Sequence, residues 1–225
     1  MRDSGTTFIR EEFYAPAVSP GELDELLSEG WRHFGEFFFR NNTDTYASEE
    51  RRVFPLRIRL SDFSLSKSQR RVLRRNADLQ TVIAPAEITI EKQELFERHK
   101  RRFKDRIPFS LYDFLSFSPA DSPCETLEIS VYESGRLTAA SFFSIGKNSI
   151  SGVYAVFEPE LTHRSLGIFT MLKEIEFAVN TGRQFYYQGY CYDGPSFYDY
   201  KKRFRGTEGY NWLGEWQPLA GLESE

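Results

Sequence analysis

The sequence predicts a mixed α/β protein built on one sheet that a helix crosses. Two alternating segments flank a Glu-Ser-Gly-Arg turn, which predicts a β-hairpin. A third strand, rich in β-branched and aromatic residues, precedes a helical pattern, and a fourth strand follows it. The order β–β–β–α–β with a right-handed crossover is typical of an α/β sheet, not of a barrel or sandwich. The strands are predicted at Thr126–Tyr132, Leu137–Ile145, Ile150–Phe157 and Gln184–Tyr190, and the helix at Ser165–Thr181.

The helix before the last strand is predicted from the spacing of its apolar residues. Its apolar face carries Ile168, Leu172, Ile175 and Val179. Gly182 then stands where helices commonly end in glycine. Because the N–H groups at a helix start attract negative charge, the turn around Arg164 and Gly167 is a candidate site for an anion or a carbonyl group. An ordinary strand–helix crossover is the alternative interpretation.

The N-terminal half is predicted to be mainly helical, with one strand. The helices are predicted at residues 19–40, 66–79 and 91–104, and the strand at residues 53–60. Pro55 favours an edge position for that strand, because proline cannot donate a ladder hydrogen bond. The pattern changes near residue 110, where we expect a domain boundary. The expected division is a flexible N-terminus (1–18), an N-terminal region (19–109), a C-terminal domain (110–217) and a tail (218–225).

Composition narrows the class of protein. With 225 residues, 40% hydrophobic and 16% aromatic, the chain is long enough and apolar enough to bury a real core. Its apolar runs are too short to span a bilayer and no signal peptide is evident, so we expect a cytoplasmic protein without a membrane partner. The two cysteines, Cys124 and Cys191, and the three histidines show no metal-ligand spacing and no disulfide framework.

Positive charge is concentrated in the middle of an acidic chain. Residues 51–106 hold 16 Lys and Arg against 7 Asp and Glu, although the whole chain has a net charge of −4. The cations of the predicted helix at 66–79 occupy more than one face, which favours contact with a nucleic-acid backbone. A solvated, salt-bridged face is the alternative. The residues predicted to contact nucleic acid are Lys67, Gln69, Arg70, Arg71, Arg74 and Arg75.

The predicted element order is similar to that of the acetyltransferase-like fold, whose members bind acyl-coenzyme A. Those enzymes hold the pyrophosphate on a turn of the pattern (Gln/Arg)-x-x-Gly-x-(Gly/Ala). The corresponding residues here are Arg164, Gly167 and Phe169. The bulky Phe169 stands where the backbone approach needs a small residue, so the fold is matched better than the coenzyme.

Four segments together resemble the arginyl-tRNA–protein transferases and the bacterial leucyl-tRNA–protein transferases of the same family. They are FSLSKSQRRVLRRNADL (63–79), GVYAVFEPELTHRSLGIF (152–169), FYYQGY (185–190) and YKKRF (200–204), and their order holds over residues 20–210. The resemblance implies an acetyltransferase-like fold with a smaller N-terminal region. It also implies transfer of arginine or leucine from aminoacyl-tRNA to the N-terminal α-amine of a protein that begins with Asp or Glu. Aminoacyl-tRNA would be the co-substrate, with no other cofactor.

Two departures from the family pattern stand out. The cysteine cluster common in the family is absent, since FRNNTDTYASEERRVFPLRI contains no cysteine, and a metal or iron–sulfur group bound there is excluded on ligand grounds. Tyr198 also replaces a usual methionine. Two alternatives therefore stay open: an acyl-coenzyme A-dependent N-acyltransferase, and a non-catalytic module that binds tRNA or N-terminal degradation signals.

The resemblance and the predicted topology together suggest a set of site residues. The N–H groups at Leu166 and Gly167 are predicted to face the ester carbonyl or its ribose, and three tyrosines to line the cleft where the sheet opens. The alternative for each tyrosine is aromatic core packing. The candidate catalytic residues are Tyr154, Leu166, Gly167, Tyr187 and Tyr190, and the candidate substrate-binding residues are Arg164, Ser165, Gly189, Tyr200 and Lys201.

Overall fold

The structure is a computed structural model that describes residues 8–219. Residues 1–7 of the predicted flexible N-terminus and residues 220–225 of the predicted tail lie outside the described residues. The helices are α1 Pro20–Ser28, α2 Lys67–Arg75, α3 Ile90–His99 and α4 Leu166–Asn180. The strands are β1 Arg10–Tyr14, β2 Arg32–Phe34, β3 Phe37–Asn41, β4 Thr43–Tyr46, β5 Glu49–Arg59, β6 Gln80–Pro85, β7 Thr126–Glu133, β8 Arg136–Ile145, β9 Ser149–Phe157, β10 Phe185–Tyr192, β11 Thr207–Tyr210 and β12 Trp216–Pro218.

A nine-stranded mixed sheet forms the framework of the molecule. Its strands follow the order β12-β11-β5-β10-β9-β8-β7-β6, and β4 pairs with β5 outside this path. Strands β7, β8 and β9 form an antiparallel meander, and α4 connects β9 to the parallel strand β10. The neighbours Phe142 and Phe143 of β8 point to opposite faces, where one packs in the cluster under α3 and the other in the cluster under α4. The predicted β–β–β–α–β order is confirmed.

Helix α4 is buried on a wider face than its sequence stripe predicts. Leu172 and Ile175 are buried as expected, but Val179 is 50% exposed. Thr170, Glu174 and Ala178 are buried instead, and Glu174 contacts Tyr186 of β10 and Gly152 of β9 on the sheet side of the helix. The apolar residues that predicted the helix therefore cover only part of its buried face.

The first helix is shorter than predicted. Ser19 caps α1, and Glu22 bonds back to the backbone of Ser19 in a reciprocal capping box. The helix ends at Ser28, because Gly30 and Gly35 take positive φ angles of 85° and 50° and turn the chain into the strands β2 and β3. The prediction of a helix through residue 40 was wrong, since the aromatic residues that follow Gly30 alternate between the faces of a small sheet.

Strand β5 lies inside the large sheet, which corrects the predicted edge position. It pairs with β10 along one side. On its other side, β4 pairs with the strand up to Arg52 and β11 pairs with it from Leu56. Pro55 falls between these two partners, where no ladder hydrogen bond is required of it. Strands β5 and β6 belong to the same sheet as β7 to β12. The sheet therefore contains strands from both sides of the boundary that we expected near residue 110.

A second, three-stranded sheet in the order β1-β3-β2 packs beside the large one. Residues 10–14 of the predicted flexible N-terminus form β1, which pairs antiparallel with β3. Leu23 and Leu27 of α1 pack with Phe38 of β3 against Tyr187 of β10. This packing brings the start of β2, and with it Arg32, to the middle of the large sheet.

Candidate functional site

Strands β9 and β10 separate after a short stretch of pairing. Their parallel ladder covers three residue pairs and ends with Ser151 opposite Tyr187. Immediately beyond, β10 shifts register against β5 at Gly189, and β9 shifts register against β8 between Gly152 and Tyr154. Such irregularities redirect side chains and occur often beside active sites. We refer to the space beyond these positions as the β9–β10 gap.

Arg32 of β2 reaches into the β9–β10 gap. Its side chain is buried, and its Nη2 donates a hydrogen bond to the backbone oxygen of Gly152 at 2.7 Å. Its Nε and Nη1 atoms are buried without a hydrogen-bond partner among residues 8–219. Gly189 lies against this guanidinium at a φ of 93°, and a Cβ atom there would overlap Nη1. Burial lowers the pKa of Arg32.

Lys201 supplies a second cation at the same place. It belongs to a 3₁₀ helix, Phe197–Arg203, that follows β10. Its Nζ donates to the backbone oxygen of Tyr190 at 3.3 Å and would lie 3.0 Å from a Cβ on Gly189. Desolvation, together with the nearby charge of Arg32, lowers the pKa of Lys201 to about 7. The structure therefore brings together three of the predicted site residues, Gly189, Tyr190 and Lys201.

A buried carboxyl group lies behind the gap. Glu174 of α4 accepts a hydrogen bond from the Tyr186 hydroxyl at 2.6 Å, and both side chains are at most 3% exposed. Gly152 packs directly on this pair, since a Cβ there would lie 2.9 Å from the hydroxyl oxygen of Tyr186. Burial raises the pKa of Glu174 to about 7. The pair packs against the strand backbone to which Arg32 donates its hydrogen bond.

Aromatic rings enclose the outer part of the gap. Tyr154 stacks on Phe114, with ring centroids 3.6 Å apart and an interplanar angle of 8°, and its buried hydroxyl has no partner in the described part of the chain. Arg102 lies over the ring of Phe157 at 4.6 Å. Burial raises the pKa of Tyr200 to about 12, with Arg102 among the charges that act on it. Tyr154 and Tyr200 thus lie near one another around a common cation.

Two of the predicted cleft tyrosines have other contacts. Tyr187 is 4% exposed and packs in the cluster formed with α1, edge-on to Trp216 at 5.5 Å. Core packing, the alternative interpretation, therefore describes its side chain. The Tyr190 hydroxyl donates to the backbone oxygen of Gly30 at 2.8 Å, so this side chain ties the gap to the turn after α1.

Arg164 is paired with carboxylates of the protein and does not form an open anion-binding site. Its guanidinium donates to both oxygens of Asp78, at 2.9 and 3.0 Å, and to Glu133. The hydrogen bond from Arg164 lowers the pKa of Asp78. These contacts join the start of α4 to the end of α2 and to the β7–β8 turn, and they leave only the buried Nε of Arg164 without a partner among residues 8–219.

The start of α4 is packed closely against the sheet. Leu166 is 1% exposed, and a Cβ on Gly167 would lie 3.0 Å from the ring of Phe157. Ser165 takes a left-handed conformation at a φ of 53°, and its side chain does not cap the helix. The structure therefore brings Ser165, Leu166 and Gly167 together at the end of β9, with Arg164 beside them.

The predicted basic helix is present as α2, and its cations are exposed. Lys67, Arg70, Arg71, Arg74 and Arg75 are all exposed, and none forms an ion pair within the described residues. Gln69 differs: it is 5% exposed, and its Oε1 accepts from the backbone N–H of Ser66 in a capping box. The prediction that Gln69 contacts tRNA is therefore corrected, because its side chain is committed to the helix start. A groove of about 540 Å³ between α2 and α4 is lined mainly by apolar residues and lies apart from the β9–β10 gap.

Arg32, Arg102 and Glu174 were missed by sequence reasoning. Arg32 was placed in the helix predicted at residues 19–40, where a charged residue is expected to face solvent. Glu174 had a usable signal, because it stands four residues from both Thr170 and Ala178 in a row of otherwise uncharged residues. Arg102 follows α3 in a basic run and offered no distinguishing pattern.

Two further properties bear on the chemistry. Among residues 8–219, no group of three or more His, Cys, Asp or Glu side chains is arranged to hold a metal ion. In the same range, no helix is long and apolar enough to cross a membrane.

Residues 91–211 match the family model described as "Arginine-tRNA-protein transferase, C terminus". Curated proteins named aspartate/glutamate leucyltransferase are similar over most of the chain. The one from Marinobacter nauticus is 30% identical over 201 residues, which cover 87% of this chain and 81% of that protein. The one from Pseudoalteromonas atlantica is 30% identical over 182 residues, covering 80% and 76%. A Campylobacter jejuni protein of the same name is 24% identical over 198 residues, covering 82% and 78%.

Solved structures are similar in fold. A C-terminal domain from Agrobacterium fabrum, described as that of a lysylphosphatidylglycerol synthetase, superposes with a TM-score of 0.50 at 18% identity. The match covers 80% of this chain and 53% of that one, so the chain spans about half of that structure. A fungal GCN5-related N-acetyltransferase region matches with a TM-score of 0.46 at 15% identity. The mixed sheet and its crossover helix confirm the predicted mixed α/β fold.

Proposed function

Since the chain belongs to the arginine-tRNA–protein transferase family, we propose that it transfers an amino acid from aminoacyl-tRNA to the N-terminal α-amine of proteins that begin with aspartate or glutamate. The structural observation that supports this proposal is the β9–β10 gap. Two irregular strands separate there, and both Arg32 and Tyr154 have buried polar atoms without a partner among residues 8–219. The names of the curated relatives support aspartate and glutamate as the acceptor residues.

The reaction mainly requires that the aminoacyl ester and the acceptor α-amine be held in position. The aminoacyl ester is already activated, and an α-amine with a pKa near ~8 is partly neutral at pH 7. The amine nitrogen attacks the ester carbonyl carbon, a C–N bond forms, and the bond between that carbon and the ribose oxygen breaks. The departing ribose oxygen takes one proton from the attacking nitrogen, and the product is an amide. Holding the two substrates together is worth up to ~7–11 kcal/mol in such reactions.

We place this reaction in the β9–β10 gap, outside the paired part of the sheet. The Tyr154 hydroxyl has no partner in the described part of the chain and can donate to a developing oxyanion, which is the type of stabilisation that acyl transfer uses most. The first N–H groups of α4, at Leu166 and Gly167, lie at the end of β9 and are a second source of donors. Glu174 and Tyr186 act as positioning residues, because they support Gly152 from behind.

Leucine is the amino acid that we propose is carried. The curated relatives are named leucyltransferases, although the family model carries the name of arginine. The gap holds Arg32 and Lys201, and Arg102 lies at its edge. These cations disfavour a guanidinium side chain nearby and do not disfavour an apolar one. Arginine is the competing donor in the test.

The basic surface of α2 is proposed as the contact for the tRNA backbone. Its exposed cations are unpaired within residues 8–219, and Asn76 at its end bonds to the backbone oxygen of Arg164 at 2.9 Å. Helix α2 is therefore fixed directly to the start of α4. A bound tRNA would in this way lie beside the gap that receives its aminoacyl end.

Acyl-coenzyme A is disfavoured as the donor. Asp78 and Glu133 occupy Arg164, the residue that would begin a pyrophosphate-binding turn, and their negative charges repel phosphate. Phe169 is 2% exposed and fills the last position of that turn. Both observations favour a donor other than coenzyme A.

The proposed function is tested by offering the protein a mixed pool of isotopically labelled aminoacyl-tRNAs together with peptides that begin with Asp, Glu, Lys, Arg or Ala. We expect mass spectrometry to find leucine added to the Asp and Glu peptides only. Deacylated tRNA and acetyl-coenzyme A are the matched controls. Addition of arginine would correct the donor, acetylation would favour the acyltransferase, and tRNA binding without any product would favour the non-catalytic module.

A further inference from the structure

The charge of Arg32 is not balanced inside the protein. The residue is 9% exposed, yet within residues 8–219 its only hydrogen bond is from Nη2 to the backbone oxygen of Gly152. In that range its Nε and Nη1 have no partner, and no carboxylate pairs with it. A buried guanidinium without a counter-charge is unfavourable, and folded proteins normally pair such a group. The missing partner is therefore expected to come from a ligand.

The free edge of Arg32 and the ammonium group of Lys201 converge on one space. The point where Gly189 would carry a Cβ overlaps Nη1 of Arg32 and lies 3.0 Å from Nζ of Lys201. Because position 189 is glycine, the backbone can lie directly against both cationic groups. Lys201 also forms no ion pair in the described part of the chain. Two adjacent, unpaired cations repel one another and together attract an anion.

Tyr190 and Glu174 do not supply that negative charge. Tyr190 contributes a backbone oxygen, and its hydroxyl is bonded to Gly30. Glu174, the buried carboxyl group behind the gap, accepts the Tyr186 hydroxyl hydrogen bond. Arginine is suited to carboxylates, because several N–H donors in one plane can bind a carboxylate with directional, charge-assisted hydrogen bonds.

We propose that Arg32 and Lys201 form the recognition pocket for the side-chain carboxylate of the acceptor's first residue, aspartate or glutamate. This inference rests on the proposed function and names the residues that select the acceptor. Two buried cationic groups at the point where two strands separate suit one short side chain, whereas the exposed cations of α2 suit the repeated phosphates of tRNA. Anchoring the side chain also fixes the α-amine of the same residue close to the gap, where it must attack.

The test compares acceptor peptides that differ in one atom group, beginning with Glu or Gln and with Asp or Asn. Arg32→Gln is expected to raise KM for the Glu peptide about 100-fold, the order of magnitude for losing charge-assisted hydrogen bonds. The preference for Glu over Gln is expected to shrink by the same factor, while KM for aminoacyl-tRNA stays within about twofold. Arg32→Lys keeps the charge and is expected to restore part of the preference.

A second pair of variants leaves Arg32 in place. Gly189→Ala introduces the Cβ that overlaps Nη1, and it is expected to weaken binding of the Glu peptide and not of the Gln peptide. Gly182→Ala is the matched control, because Gly182 also has a positive φ, of 73°, but nothing lies within 4 Å of its Cβ position. Both changes carry the backbone cost of alanine at positive φ, so only the difference between them reports on the pocket.

A thermal melt separates recognition from a purely structural role. Arg32→Met removes an unbalanced buried charge, so we expect Tm without ligand to rise, whereas a structural arginine would lower Tm when replaced. Peptide binding is measured by calorimetry as well as by transfer. Glu-peptide binding that depends on Arg32 supports the pocket even if no transfer occurs, and in that case only the proposed function fails.

Three outcomes would overturn the pocket. One is an unchanged Glu over Gln preference in Arg32→Gln while the native protein transfers normally. Another is a raised KM for aminoacyl-tRNA with the peptide preference intact, which would assign Arg32 to a tRNA phosphate. The third is a native protein that does not distinguish Glu from Gln peptides in either binding or transfer, which would also sink the proposed acceptor class.

Discussion

At the scale of single residues, Glu174 links the site to the stability of the fold. It is 3% exposed, and burial raises its pKa from an ordinary value of 4.5 to about 7. Between these two pH values, the folded protein keeps a proton that the unfolded chain has released. The free energy of unfolding therefore falls as pH rises from about 4.5 to 7, and the loss is complete above that range.

Glu174→Gln is expected to remove this pH dependence, because the amide can still accept the Tyr186 hydrogen bond without ionising. At pH 8 the variant should be more stable than the native protein, by an amount on the order of 3 kcal/mol at most. At pH 4 the two should be nearly equal. Denaturant unfolding at several pH values measures the difference, and the same difference at pH 4 and pH 8 would contradict the assignment.

Glu176→Gln is the matched control for that measurement. Glu176 lies on the exposed side of the same helix and pairs with Lys173 at 2.7 Å. Surface changes of this kind usually alter stability by less than about 0.5 kcal/mol, so its curve should follow that of the native protein.

At the scale of elements, α2 combines a rigid attachment with an exposed cationic surface. Asn76 bonds back to Val72 and across to Arg164, which holds the end of the helix on the crossover. The exposed arginines project from this fixed support. Because their guanidinium groups are not neutralised by neighbouring carboxylates within residues 8–219, they keep their full attraction for phosphate.

The double change Arg71→Glu with Arg74→Glu is expected to weaken tRNA binding by more than tenfold at low salt. Each lost phosphate contact should also reduce the slope of log K against log salt by about 1. Binding is measured by filter assay or fluorescence anisotropy across a salt series. Lys147→Glu, an exposed change in the β8–β9 turn at the far end of β9, serves as the control and should leave the slope unchanged.

The sequence predicted the elements whose signals are local. The hairpin of β7 and β8, the strand β9 and the crossover helix α4 all follow from period and turn residues within a few positions. Strand β5 was recognised, but its place between β10 and β11 depends on partners more than 120 residues away in sequence, which no local pattern encodes.

The same contrast holds for the site. Gly189, Tyr190 and Lys201 were predicted because they lie in motifs that follow the last predicted strand. Arg32 was not, because its role depends on the packing of β2 against the large sheet, and the helix prediction concealed it. Tyr187 was predicted to line the cleft but packs in the core, because the sequence pattern of a strand does not show which of its faces lies in the core and which lines a cleft.

At the scale of the whole molecule, the large sheet unites both halves of the sequence. Strand β5 contacts β10 and β11, and β6 forms the opposite end beside β7. The two cations of the proposed pocket come from Arg32, before residue 110, and Lys201, after it. Neither half of the sequence therefore contains a complete sheet or a complete site.

A fragment of residues 110–219 is expected to lack a cooperative melt, because removing β5 exposes the edges of both β10 and β11 to water. Co-expression with residues 8–109 should restore a folded complex with the circular dichroism of the intact protein. Purification of the pair through a tag on one fragment, followed by a melt, measures this. A cooperative transition in the C-terminal fragment alone would contradict the expectation.

The position of β5 has a consequence for synthesis of the chain on the ribosome. Residues 49–59 emerge early, but the strands that cover them, β10 and β11, are made well over 100 residues later. At roughly 5–20 residues per second, that interval is on the order of ten seconds. During this interval the apolar side chains of β5 lack the strands that cover them. They are Val53, Phe54, Leu56 and Ile58, and all four are buried in the folded protein. The nascent N-terminal half is thus a natural client for chaperones, and slow translation lengthens the time for which it needs them.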